Sequence, residues 1–242
     1  MPGLVACRRN KIMPSKSLFW RQTAFQVSMA VCVIFVALTA VAMLIYPGGT
    51  KADHSTAGYS FFQNFFSDLG RTEAWSGESN GISMGLFIAA LSLAGTMLAM
   101  FFVILAQFFN QPSWTKWTGR LGAVTGVVSG VCFVGIAATP ANVHGWAHDV
   151  FVDWAFRTFL LAVVLYAAAI LGQQQYPRRL AWVFALFAIL LAAYVVLITV
   201  GPSTDTANGL KIQVTGQKVI VYAAIIATFV QAWGALRFAR SG

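Results

Sequence analysis

The side chains able to bind or react gather in two short stretches of this chain. The first, Tyr59 to Gly70, sets Asn64 and Asp68 among four phenylalanines. The second, Pro140 to Arg157, holds His144, His148, Asp149, Asp153 and Arg157. On a helix, His144 and His148 are i, i+4 neighbours and present two imidazoles on one face, a spacing that metals use. Asp68, His54 or Asp149 would supply a third ligand to a divalent ion such as zinc. An open fourth position would then hold an activated water for hydrolysis of a lipid ester, amide or phosphodiester. No HExxH motif and no cysteine ligand accompany the histidines. No two histidines sit at matched depth on different spans, as a bis-histidine haem needs, and Ser67 has no nucleophile-elbow context. The alternative use of the same residues is a polar pocket. There Asn64, Asp68, His144, His148, Asp149, Asp153 and Arg157 would receive a lipid headgroup or a small ligand, or dock a partner. The plain structural alternatives are a lid over the first stretch and a register-fixing Asp153–Arg157 pair in the second, with Asp N-terminal to Arg in the favourable i, i+4 order.

The elements that position these groups are membrane helices. The chain is 58% hydrophobic. Six apolar runs, near 24–46, 82–109, 118–139, 149–172, 180–200 and 217–237, are long enough for a bilayer core about 30 Å thick. They are too long and continuous for barrel strands. The expected fold is all-α: a six-helix integral membrane bundle, residues 1–242 as one membrane domain. The spacing of Phe61, Phe62, Phe65, Phe66 and Leu69 predicts a short amphipathic helix over 59–69, within an outer loop 47–81. Asn142 is a candidate N-cap for the fourth span. Gly122, Gly126 and Gly130 in the third span, and Gly81, Gly85 and Ala89 in the second, form small-residue faces suited to close helix packing or to a homo-oligomer seam.

Orientation follows from the basic residues. Eleven of the sixteen lie at the N-terminus, around the 2–3 and 4–5 connections, or at the C-terminus. By the positive-inside rule both termini are cytoplasmic, and the protein sits in the cell (inner) membrane. All seven acidic residues and all three histidines then fall on the outer side. The net charge of +9 is explained by this bias and by anionic headgroups, with no nucleic acid required. Trp20, Trp114, Trp117, Trp182 and Trp233 read as inner-interface anchors, Trp75 and Trp146 as outer ones. The first apolar run is too long for a signal-peptide core and reads as an uncleaved span. Cys7, Cys32 and Cys132 give no disulfide framework. Arg157, about 12 Å below the start of span 4 by helical rise, needs a partner, and Asp153 in the bundle interior is the nearest candidate.

Several short motifs carry a resemblance. The first span ends in Tyr46-Pro47, FFSDLGR precedes span 2, and TPANVHGWAHDVF joins spans 3 and 4. In these respects residues 20–238 resemble the prokaryotic six-pass membrane family called domain of unknown function 998, through Ser67, Asp68, Leu69, Gly70, Pro140 and His144. More distantly the chain is similar to the six-pass family of GPI-lipid-remodelling factors and autophagy modulators. The resemblance implies an architecture and a shared outer polar site. From the residues themselves, two function classes remain. One is a polytopic membrane protein that binds lipid or docks a membrane partner; the other is an intramembrane metal-dependent lipid hydrolase or remodelling enzyme.

Overall fold

The computed structural model describes residues 15–241, so Cys7, Arg8, Arg9 and Lys11 lie outside it. Six long helices form: α1 (Ser15–Leu44), α2 (Gly81–Leu105), α3 (Ser113–Ala138), α4 (Gly145–Gly172), α5 (Arg179–Val200) and α6 (Ala207–Ser241). All six contain stretches long and apolar enough to cross a bilayer. The protein is a multi-pass membrane protein with an all-α bundle. Each helix packs on its chain neighbours and α6 closes onto α1, so the six form a ring.

The spans fall near where hydropathy places them, with α1 and α6 beginning earlier, at Ser15 and Ala207, than the expected 24 and 217. Helix α6 begins at Ala207 rather than near 217. Thr206 starts it, its hydroxyl accepting the Gly209 N–H at 3.1 Å in the manner of an N-cap. The first turns read as loop because they carry Gln213, Gln217 and Lys218. All three are buried, and each has a partner: Gln213 Nε2 donates to the Leu197 carbonyl at 2.9 Å, and the other two meet residues 64–66.

Alternation puts the 1–2, 3–4 and 5–6 connections at one end of the ring. The long 1–2 connection covers that end, called here the capped end. Every acidic residue and every histidine is there. At the opposite end Trp20, Trp114, Trp117, Trp182 and Trp233 are exposed, as interface anchors would be.

The core is aromatic. Phe102 stacks on Tyr166, ring centres 5.2 Å apart, and meets Phe101 and Phe159 edge-on. The Tyr166 hydroxyl donates to the Phe102 carbonyl. Ser129 Oγ donates to the Ala155 carbonyl at 2.9 Å, linking α3 to α4. The glycine stripe of α3 divides its work. Gly122 faces the Tyr166 ring, Gly126 the Phe102 ring, and Gly130 the backbone of Gly95 on α2. Gly81 and Gly85 meet no neighbour. Between the two halves of the core lies a small apolar cavity of about 90 Å³, lined by Val31, Cys32, Leu98, Phe156 and Ile225 among others.

A Cβ at Gly95 or Gly130 would run into the other residue's carbonyl oxygen. Gly130→Leu is expected to spread α2 from α3 and cost about 1–3 kcal/mol, the usual range for overpacking. A thermal-denaturation series in detergent checks this, with Gly85→Leu, at an open position, as the control that stays near wild type.

Candidate functional site

The cap is built from turns zipped together by backbone bonds. The Gly49 N–H donates to the Thr56 carbonyl at 2.7 Å, Ser76 N–H to Gly48 at 3.1 Å, and Ala74 N–H to Glu78 at 2.9 Å. Gly49 has φ +80°, and a Cβ there would strike the Trp75–Ser76 backbone, so only glycine serves. Lys51 Nζ reaches Thr204 Oγ1 (2.6 Å) and Asp205 Oδ1 (2.8 Å), fastening the cap to the 5–6 connection.

Asn64, fully buried, is the hub. Its Oδ1 accepts the Ser60 N–H (2.9 Å). Its Nδ2 donates to the Gly49 carbonyl (2.9 Å) and to Asp68 Oδ2 (3.2 Å). Its main-chain carbonyl accepts the Tyr59 hydroxyl (3.0 Å) and the buried Lys218 ammonium (2.6 Å). Asp68, 5% exposed, accepts two further bonds, from the Phe65 N–H (2.8 Å) and Trp75 Nε1 (3.0 Å). Gln217 Oε1 accepts the Phe66 N–H at 2.6 Å. Lys218 Nζ lies over the Phe66, Tyr59 and Phe61 rings at 4.5, 5.2 and 5.4 Å, close enough for cation–π attraction.

These contacts correct the expected helix over 59–69. Only Phe66–Gly70 is helical, as one 3₁₀ segment, and Phe65 is extended. The reason is competition: the Asn64, Tyr59 and Asp68 side chains take the backbone groups that a continuous helix would pair. The stripe is also split: Phe66 and Leu69 are buried as expected. Asn64 and Asp68 point inward while Phe61 and Phe62 stay 37% and 58% exposed. Trp75, expected as an interface anchor, instead donates to Asp68 and carries the Arg71 guanidinium 3.9 Å over its ring.

The second stretch meets the cap through Asn142, and its titratable side chains make their own contacts. The helix N-cap is His144, which is exposed, and not Asn142. Asn142 instead binds the cap, its Oδ1 accepting the Thr72 N–H (3.1 Å) and its Nδ2 donating to Thr72 Oγ1 (2.7 Å). The buried His148 donates from Nδ1 to the Thr139 carbonyl at 2.7 Å. Asp149 is exposed. Asp153 and Arg157 pair at 2.6 Å as expected, but both side chains are close to half-exposed, so the pair does not face the interior. Arg157 Nη2 also donates to Thr199 Oγ1 at 3.1 Å. Thr199 is the penultimate residue of α5, which places the guanidinium at the end of that span, where headgroups and water reach it.

The structure therefore brings Asn64 with Asp68, and Asp153 with Arg157. No hydrogen bond or ion pair among the described residues joins His144 or His148 to either unit, and His54 packs on Trp75. No group of three His, Cys, Asp or Glu able to hold a metal occurs among the described residues.

A feature that the sequence reading passed over lies between α5 and α6 near the capped end. Leu190, Ala193, Leu197, Ile212 and Val219 line an apolar groove of about 500 Å³, with Lys211 and Thr215 also on its wall. It was hidden because residues 201–216 read as a loop. The sign was available in Ser203 to Thr206, a start signal ahead of an apolar periodic run. Compared with protein-family models, curated proteins and solved structures, the chain matches none.

Burial pushes the Asp68 carboxyl above its ordinary value of 3.8, against the hydrogen bonds from Asn64, Trp75 and Phe65 and the charge of Arg71, which pull it down. The folded state then holds the proton more tightly than the unfolded chain, so this contribution to stability is present in acid and is lost as pH rises through the folded value. Asp53 and Asp205 are shifted downward by their own hydrogen bonds and act in the opposite sense. The difference between wild type and Asp68→Asn isolates the residue. Wild type is expected to lose stability relative to the variant as pH is raised from about 4, the ordinary aspartate value, read from paired thermal midpoints.

Proposed function

We propose that this chain is a non-catalytic multi-pass membrane protein that binds a lipid at its capped end, in the α5–α6 groove. The observation that carries the reading is the groove itself. It lies within the spanning helices and is lined almost wholly by apolar side chains. Leu190, Ile212 and Val219 on its walls are 39%, 49% and 53% exposed. Such a surface in a bilayer takes up hydrocarbon, and a concave one retains a chain longer than a flat one does. The Asn64–Asp68–Lys218 cluster supports the binding site by holding the cap over the start of α6. Its polar groups are already committed to one another, so it positions and does not receive. The exposed His144 and the engaged His148 give the hydrolase alternative no assembled ligand set.

We also read the capped end as outward, with both termini cytoplasmic. Support comes from the basic residues at the opposite end, such as Lys116, Arg120, Arg178 and Arg237, against the acidic groups of the cap.

Ala193 is exposed in the groove, and Ala193→Phe fills it without touching the core. Native mass spectrometry of protein purified in mild detergent is expected to show retained phospholipid falling by about tenfold, the factor set by roughly 1.4 kcal/mol of lost chain burial. Unchanged retention in a folded variant would overturn the groove as a lipid site.

The orientation has its own test. In a background with Cys7, Cys32 and Cys132 replaced by serine, Glu78→Cys is expected to react with an impermeant thiol reagent on intact cells, and Arg178→Cys only after permeabilisation. The reverse pattern would invert the topology.

A further inference from the structure

The groove has a polarity gradient that names its ligand more closely. Lys211, Thr215 and Val219 follow one another at i, i+4, i+8 down one side of α6, and all three line the groove. Each step is about 6 Å by helical rise. The wall thus runs from a cation, through a hydroxyl, to an aliphatic side chain within about 12 Å. Lys211 is exposed, and the ion pairs among the described residues, Lys51–Asp205 and Arg157–Asp153, leave it out. Asp205, the acidic group near the start of α6, is held by Lys51 Nζ at 2.8 Å and by the Ser203 hydroxyl at 3.0 Å. Its charge is engaged six residues before Lys211, the first α6 residue of the groove. Across the groove, α5 offers Leu190, Ala193 and Leu197 with no charged group. The floor is kept low by Gly216, where a Cβ would run into the Leu197 side chain.

Resting on the lipid reading above, we propose that the groove selects an anionic glycerophospholipid. The phosphate faces Lys211, the glycerol-ester region faces Thr215, and one acyl chain lies along Val219 and Leu190 toward the bilayer centre. The order of groups on the wall matches the order of groups on such a lipid: anion, ester oxygens, hydrocarbon. A zwitterionic lipid fits the lower part equally well but places its own cation beside Lys211. A basic residue near a membrane surface contributes on the order of 1 kcal/mol toward anionic lipid, about a fivefold preference.

The experiment uses the full chain in mixed micelles, with phosphatidylglycerol and phosphatidylcholine of equal chain length competing for the protein, read by native mass spectrometry. Wild type is expected to retain phosphatidylglycerol about fivefold over phosphatidylcholine, the factor that one lysine supplies. Lys211→Gln is expected to bring the ratio to about one with total lipid retained, and Lys211→Arg to keep the preference. Glycerol 3-phosphate, the headgroup chemistry without a chain, is expected not to displace the lipid; displacement would reassign the site to a free phosphate ester and overturn the proposal. A preference unchanged in Lys211→Gln, or none in wild type, overturns it as well. The two readings fail separately. If Ala193→Phe leaves retention intact, the groove is not the lipid site. If Ala193→Phe empties it while Lys211→Gln leaves the preference intact, the groove stands and its headgroup selection falls.

Discussion

The main-chain carbonyl of Asn64 is the point at which the cap is fastened to the buried lysine of the last helix. It accepts from Lys218 on the last helix and from Tyr59 within the cap, while the Asn64 side chain binds Gly49, Ser60 and Asp68. A buried polar group without a partner costs roughly 1–3 kcal/mol, and a buried ammonium costs more. The cap removes both penalties in one arrangement. It brings an oxygen and three aromatic faces to Lys218, and the lysine supplies a donor that a tight turn leaves wanting. The cap is therefore not a loop laid over a finished bundle. It supplies the partners of Gln217 and Lys218 on α6, while Gln213 one turn earlier is met by the Leu197 and Pro202 carbonyls.

This is also where sequence reading reaches its limit. The six spans are legible because a bilayer demands about 20 apolar residues in a row and admits few substitutes. The gathering of acids and histidines at one end follows from counting spans. The pairing of Asp153 with Arg157 follows from i, i+4 geometry. Partners distant in sequence are another matter. Lys218 and Asn64 are 154 residues apart, and one member of the contact is a backbone atom that every residue carries. Periodicity could not find it. The periodicity of the 61–69 stripe holds for Phe66 and Leu69, which are buried, and fails for Phe61 and Phe62, because Asn64, Asp68 and Tyr59 carry side chains that outcompete helical backbone pairing. A stripe of apolar residues states what could be buried; hydrogen-bond partners decide what is.

The same reasoning explains why the histidine pair remains apart from the carboxylate it was expected to meet. The i, i+4 spacing of His144 and His148 holds only once both are inside the helix, and the turn after Pro140 places His144 at the cap. There the main chain is not yet helical, with φ −126° and ψ 45°. His148 then finds its partner on the preceding turn, at Thr139. Asn142, displaced from the capping role, joins the 3–4 connection to Thr72. The 1–2 and 3–4 connections are thus tied by amide and hydroxyl groups, while Asp153 pairs with Arg157 within α4.

Two lysines on one helix show how the cap sets apart groups of the same composition. Lys211 and Lys218 are about two turns apart and point from nearly the same side of α6, since seven residues fall just short of two turns. Their surroundings differ because of what lies over them. Residues 59–66 close on Lys218 and supply its oxygen and its rings. Over Lys211 they supply nothing, and the adjacent surface falls away into the α5–α6 groove. Gly216 contributes no side chain to fill it and Ala193 contributes only a methyl group. A cation enclosed by protein is a structural fastening, whereas a cation exposed above a hydrocarbon-lined groove is an unmet demand. That contrast, and not the groove alone, is what the proposal of an anionic lipid rests on.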